Sequence, residues 1–399
     1  MNAMPDRVRP IPRPPTTARP PHLLHVFPSF TRGGVPIRIA GIVNLLGDAY
    51  RHTIVAMDGC FDCRSRLDPD LGVALASPPE MAVNLPRRVT RLRACLRASA
   101  PDLLLTYNWG AIEWTLANAL APLAPHLHFE SGFGPEEADG QLRRRALMRR
   151  VALRRVARVV VPSQTLVRIA THTWKLNPDL VAYVPNGVDV AAFEQPPKPG
   201  AIPELAGAEG HLLVGTLAPL RREKNLARLV RAFAAAHGAA NATLAIAGDG
   251  PERGALETLA AGLGIENRVV FLGHVERVAD VLARLDVFAM SSDTEQMPNS
   301  LLQAMAAGLP VVATDVGDVK HILPGENAPF VVPKRDEALL AEAMGRVLAD
   351  GALRARLGQA NRDHVKAHYG MERMLDAYAR LYADALAAGG PRAAGSGSV

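Results

Sequence analysis

Short apolar runs alternate with amphipathic stretches along this chain, and the alternation starts twice. In the first half His22–Pro28, His52–Met57, Val73–Ala76, Asp102–Tyr107, His126–Glu130, Arg158–Pro162 and Val181–Pro185 read as strands. Helical patterns such as Val35–Leu46, Pro86–Ala98 and Ile112–Leu120 lie between them. Strands apolar on both faces and separated by helices form parallel sheets covered on both sides, because each face must be buried. The stretch Gln195–Pro203, with Pro196, Pro197, Pro199 and Pro203, breaks the pattern and marks a linker over 195–203. Strands then resume at Leu212–Leu217, Thr243–Ala247, Arg268–Leu272, Asp286–Met290 and Pro310–Ala313. Helices over Asn225–His237, Glu252–Gly262 and Asn299–Ala307 separate them, and Asp336–Leu348, Ala352–His368 and Met371–Ala387 close the chain. The predicted class is α/β, with one parallel-sheet domain over 22–194 and a second over 204–369.

The 399 residues, 48% hydrophobic and 21% charged, suffice for two such domains. No run is apolar enough to span a membrane, and the arm over residues 1–21, rich in Pro and Arg, has no apolar signal region. A cytoplasmic protein with a disordered arm and a disordered tail over 389–399 is expected. Cys60 and Cys63 form a C-x-x-C without a second pair, and Cys95 stands apart, so plain thiols are expected rather than a structural zinc. Residues 1–195 carry 24 lysines and arginines against 16 acids, whereas 196–399 carry 21 against 23. The basic half calls for an anionic partner or surface on that side. Nucleic acid is not expected, since no aromatic stacking platform or binding motif accompanies the charge.

The segment Ser291–Asp318, SSDTEQMPNSLLQAMAAGLPVVATDVGD, carries the most chemistry. Pro298 opens a helix whose first amides, at Asn299, Ser300 and Leu301, have no partner within the helix and form an anion site. Glu295, just before that helix, and Gln303, a turn inside it, are placed to face one crevice at the carboxyl ends of the strands. In VGTLAPLRREKN, Arg221, Arg222 and Lys224 occupy a strand-to-helix turn on the same side, where cations suit a diphosphate. Gly33 and Gly34 follow the first strand and allow close backbone approach to a ligand. In LHFESGFG, His128 and Glu130 share a strand face and are candidates to position or deprotonate an acceptor hydroxyl. Eight arginines and no acid between residues 143 and 158 give a helix that either docks on an anionic membrane or is simply solvated.

Together GTLAPLRREKN, AGDGPE, FLGHVERV, the Ser291–Asp318 segment and VPNGVDVAAF resemble the retaining glycosyltransferases of family 4, over about residues 22–385. TYNWGAIEW, HFESGFG and the paired arginines resemble a bacterial branch linked to surface polysaccharide synthesis. The resemblance implies the GT-B fold, two Rossmann-like domains facing a central cleft, with the C-terminal helix 370–388 packing back on the first. It implies a nucleotide-sugar donor on the second domain, a glycan or lipid-linked acceptor on the first, and no metal or other cofactor. Glu295 matches the glutamate that contacts the donor sugar, Met297, Pro298 and Asn299 the loop that holds sugar and phosphate, Lys224 the diphosphate lysine, and Gly34 the glycine near the phosphate. His128 or Glu130 lies where the family places acceptor-side groups. Two positions depart from the pattern: Gln303 replaces the second glutamate of E-x7-E, and Thr216 replaces an arginine for which Arg221 or Arg222 would compensate. A nucleotide-sugar epimerase and a non-catalytic sugar-nucleotide-binding protein remain open alternatives; a dehydrogenase is disfavoured, because AGDGPE is not a G-x-G-x-x-G.

Overall fold

The computed structural model describes residues 19–80, 84–137, 140–195, 202–236 and 241–389, so the expected arm, linker and tail fall largely outside it. The described chain forms two compact units, Met1–Val184 with Glu372–Val399, and Pro185–Met371.

The first unit is a seven-stranded parallel sheet of β1 (His22–Phe27), β2 (Arg51–Ala56), β3 (Ala74–Ala76), β4 (Leu103–Tyr107), β5 (His126–Phe129), β6 (Arg158–Val161) and β7 (Val181–Tyr183), in the order β3-β2-β1-β4-β5-β6-β7. The second is a six-stranded parallel sheet of β8 (Leu212–Leu217), β9 (Ala242–Ala247), β10 (Val269–Gly273), β11 (Val287–Met290), β12 (Val311–Asp315) and β13 (Val331–Pro333), in the order β10-β9-β8-β11-β12-β13. Both sheets reverse their order of growth once, between β1 and β4 and between β8 and β11. Helices leave opposite faces there, so a crevice opens beyond the carboxyl ends of those strands.

The central strands are buried on both faces, and every residue of β1 is buried. The histidines within them must therefore find partners inside the sheet. His25 bonds Tyr107 Oη at 2.9 Å and His52 Nδ1 at 3.0 Å, and His126 Nε2 meets Thr106 Oγ1 at 2.8 Å. Burial, and then the neighbouring histidine charges, push the His25 imidazole well below its ordinary range, and burial brings His52 to about 4.

The helix Met371–Gly389 completes the first unit, where Tyr378 stacks on Phe129 with ring centroids 5.4 Å apart and Tyr382 meets Tyr50 edge-on at 6.2 Å. The boundary at Val184/Pro185 falls ahead of the proline-rich stretch. Val188 explains why: it bridges Gly370, donating to Tyr369 O at 2.9 Å, and it packs in the second unit's core with Val190 and Phe193.

Candidate functional site

In the second unit, the turns after β8 and β11 meet at the switch point. Arg222–Lys224 forms a single helical turn, closed by Asn225 in the left-handed region at φ 44°. Lys224 Nζ lies 2.6 Å from Glu295 Oε1, which also accepts from Ser292 Oγ at 2.8 Å. Asn225 Nδ2 donates to Asp293 Oδ2 at 2.9 Å, and Arg228 Nη1 lies 2.8 Å from Asp293 Oδ1. Two loops far apart in sequence are thereby laced into one surface, with a cation and a carboxylate fixed before any ligand arrives. Arg221 and Arg222 are exposed on the same turn, without an ion pair among the described residues.

Two glycines let the backbones approach. Gly248 has φ 141°, and a Cβ there would collide with Ala218 O; the loop it opens lets Leu220 N donate to Asp249 O at 3.0 Å, which backs the basic turn. Gly317 has φ 57°, and a Cβ there would run into Glu295 O. Only glycine fits either place, so AGDGPE and DVGD act as props for the two loops.

The helix Asn299–Ala306 has Pro298 at its N-cap with no side-chain cap, so its first amides stay available to an anion. Met297 is buried in the core beneath it. Gln303 is half-buried one turn along and shares no hydrogen bond with Glu295. The structure thus brings Lys224 and Glu295 into contact, and sets Arg221, Arg222, Pro298, Asn299 and Gln303 on the same end of one sheet.

In the first unit a pocket of about 400 Å³ opens at the β1/β4 switch point, lined among others by Val35, Asn108, Trp109, Ser131, Phe133 and Arg145. Asn108 sits at φ 55°, ψ −177°. That conformation is nearly confined to glycine and costs a non-glycine residue about 1–3 kcal/mol. Asn108 is held there by donating to Phe129 O at 2.7 Å and accepting from Ser131 N at 2.8 Å. Gly33 is extended at φ −149°, and a Cβ there would make only ordinary contact with Pro36 at 3.8 Å. The protein's own packing does not demand glycine at 33; close approach of a ligand to Gly33 and Gly34 would.

His128 and Glu130 differ from expectation. Both are fully buried, so neither side chain is open to an arriving acceptor hydroxyl. His128 Nδ1 bonds Thr106 Oγ1 at 2.8 Å, and Glu130 Oε2 accepts from Arg149 Nε at 3.2 Å. A carboxylate at a buried strand end must be paired, and the arginine helix supplies the partner. Arg149, itself fully buried, also bonds Glu137 at 3.0 Å and lies about 5 Å from the rings of Trp109, Phe133 and Trp174. His128 and Glu130 therefore stand in the support behind the pocket's aromatic wall.

The same helix splits the expected cationic face. Arg145 turns inward to Glu136 and Glu137, whereas Arg143, Arg144, Arg150 and Arg154 remain exposed around Leu147, 61% exposed, and Val151, 47% exposed. Among the described residues no helix is long and apolar enough to cross a membrane, and no three His, Cys, Asp or Glu converge as metal ligands would.

Arg228, Asp293, Asn225 and Ser292 were missed by the sequence reading. Arg228 stands one helical turn beyond Lys224, a spacing that signals a shared face; the other three carry no such signal.

Residues 32–192 match the family described as Glycosyltransferase Family 4, and residues 210–350 match Glycosyl transferases group 1. The chain belongs to the family 4 glycosyltransferases. This glycosyltransferase is 28% identical to the N-acetyl-alpha-D-glucosaminyl L-malate synthase of Bacillus anthracis over 228 residues, 57% of this chain and 60% of that protein. It is 29% identical to the 2-deoxystreptamine N-acetyl-D-glucosaminyltransferase of Streptomyces fradiae over 309 residues, 72% of this chain and 73% of that one. It is 37% identical to the lipopolysaccharide core biosynthesis glycosyltransferase LpsE of Rhizobium meliloti over 137 residues, 34% of this chain and 40% of that one. Among solved structures, Anabaena HepE in complex with UDP superposes with TM-score 0.77 at 18% identity, covering 91% of this chain and 100% of that one. The sucrose-phosphate synthase of Thermosynechococcus elongatus gives TM-score 0.77 at 20% identity, covering 92% and 100%. The glycosyltransferase thus has the GT-B fold, built of two Rossmann-like parallel-sheet units.

Proposed function

We propose that the protein transfers a sugar from a nucleotide-sugar donor to a glycan or lipid-linked acceptor, with retention at the anomeric carbon, in cell-surface polysaccharide synthesis. The observation that carries this reading is the Lys224–Glu295 pair beside an uncapped helix start. In this reading Glu295 holds hydroxyls of the donor sugar, while Arg222, Lys224 and the amides of Asn299–Leu301 hold the diphosphate. As the bond from the anomeric carbon to the phosphate oxygen breaks, those groups stabilise the charge that builds on the departing diphosphate. The acceptor oxygen forms its bond on the face the diphosphate leaves, and its proton passes to the diphosphate oxygen. Fixed cations and the helix end do the work a divalent cation would do, so activity in excess EDTA is expected. Gln303 lies toward the ribose, and the strained pocket at Asn108 and Trp109 takes the acceptor.

A thermal-shift panel of UDP-, GDP- and ADP-sugars tests the donor reading, because a ligand that binds the native state raises its melting temperature. HepE has been solved with UDP and with UDP-glucose, which makes UDP-sugars the first donors to try. Unchanged melting with all three classes would sink it. For a donor that binds, product analysis separates transfer from isomerisation of the free sugar nucleotide and from binding alone.

The exposed arginines around Leu147 and Val151 support a location at the inner face of the cytoplasmic membrane, with apolar side chains in the interface and guanidinium groups on anionic headgroups. A lipid-linked acceptor would be met there.

A further inference from the structure

We propose that Asn186 is a positioning residue of the donor site, acting through Asn299. The inference rests on the reading of residues 295–301 as the donor-binding loop. Asn186 lies in VPNGVDV, before the proline-rich stretch, yet it belongs to the second unit and is buried. Its carboxamide nitrogen donates twice, to Met297 O at 2.9 Å and to Asn299 Oδ1 at 2.9 Å, and its backbone N–H points at Met297 Sδ at 3.1 Å.

The double donation has a directional consequence. A carboxamide has one oxygen and one NH2. With the oxygen of Asn299 bound to Asn186, its NH2 is the branch turned away from Asn186, on the first residue of a helix whose amides are unclaimed by any cap. A side-chain donor is thereby added to a row of backbone donors, all suited to phosphate oxygens. The anchored Met297 carbonyl fixes the turn into that helix from one side, and Gly317, against Glu295 O, fixes it from the other. Nothing about Asn186 requires that it touch the donor.

Asn186→Asp keeps the shape and removes the donor. Its carboxylate accepts only, so Asn299 must turn its NH2 toward residue 186 and present oxygen to the diphosphate. The experiment is calorimetry with UDP, or with GDP or ADP where that is the diphosphate bound, on the parent, Asn186→Asp, Asn186→Ala, Asn299→Ala, the Asn186→Ala/Asn299→Ala double variant and Lys224→Ala. Expected are losses of about tenfold for either alanine variant, consistent with one hydrogen bond to a charged group, and a larger loss for Asn186→Asp. The double variant is expected to lose little more than the worse single, because coupled residues are not additive. Where Asn186→Ala fails to fold, the isosteric Asn186→Asp and Asn299→Ala carry the comparison. Parent-like affinity in Asn186→Asp while Lys224→Ala is impaired overturns the inference and leaves the donor reading intact. So does full additivity, or a lowered melting temperature with unchanged affinity. A parent that binds none of the three diphosphates overturns both.

Discussion

Lys224 and Glu295 are 71 residues apart in sequence, yet their charged atoms stand 2.6 Å apart with side chains only 19% and 11% exposed. A strand-to-helix turn beyond β8 and a loop beyond β11 put them there, each propped by a backbone-to-backbone contact that only glycine permits. The two charges satisfy each other. On the proposed reading, a bound nucleotide diphosphate would give the ammonium a second anionic partner and turn the carboxylate to sugar hydroxyls, with little rearrangement of the two loops.

Removing the cations should therefore show first in diphosphate binding. Lys224→Ala and Arg222→Ala are each expected to weaken it by roughly 1.5–3 kcal/mol, the worth of a hydrogen bond to a charged group. Lys224→Ala should be the worse, since it also strips Glu295 of its partner. Calorimetry with UDP reads this; unchanged affinity in both variants removes the basic turn from the site.

Gln303 is the clearest departure from the family's pattern. Gln303→Glu is expected to bind donor equally or better, because a carboxylate accepts from both ribose hydroxyls with charge assistance. Gln303→Ala is expected to bind worse. Kinetics of the three versions with one identified donor decide it, and parent-like affinity and turnover in Gln303→Ala would show that Gln303 does not contact ribose.

Arg149→Met keeps the apolar stem but leaves Glu130 buried without its cation and Glu137 with Arg145 alone. Breaking such a cluster costs about 3–5 kcal/mol. Urea unfolding should show that loss, and adding Glu130→Gln and Glu137→Gln should recover part of it. Full stability in the single variant would mean the cluster neither anchors the aromatic wall nor contributes to folding.

The buried histidines make stability depend on pH. Burial lowers His25 and His126 well below 6.5 and His52 to about 4, so between pH 6.5 and roughly 4 the unfolded chain binds protons that the native state refuses. Stability should thus rise with pH across that window and fall on acidification, by up to about 1.4 kcal/mol per pH unit for each such group. Urea midpoints at pH 7, 6 and 5 test it; a flat profile would mean the three imidazoles protonate freely in the folded protein.

Vesicles with anionic lipid should bind the protein at low salt and release it as salt rises, through Arg143, Arg144, Arg150 and Arg154. Leu147→Glu with Val151→Glu should abolish cosedimentation. Its absence in the parent at low salt leaves the helix a solvated face.

Twelve of the thirteen strands were legible from short apolar runs, uninterrupted where a central strand is buried on both faces and only brief in the more exposed edge strands β3 and β7. β13, Val331–Pro333, was not, since three residues after a turn-rich PGENAP carry no period and take their conformation from pairing with β12. The basic turn and the Glu295 loop could be found because polar residues there interrupt apolar ones at strand ends. The true setting of His128 and Glu130 could not, because alternation gives the face of a strand but not what covers it. The cover is Arg149, 19 residues on, in a helix whose sequence reads as uniformly cationic. Its register relative to the strand, set by Trp109, Phe133 and Trp174, decides which arginines turn inward.

The first unit is assembled from the two ends of the chain, with all of Pro185–Met371 between them. Tyr378 and Tyr382 close aromatic contacts with Phe129 and Tyr50, which a ribosome will have delivered hundreds of residues earlier. During synthesis the early strands must wait, short of the helix that completes their core, while the later unit emerges whole. The order of translation is therefore the reverse of the order in which the two cores can be completed.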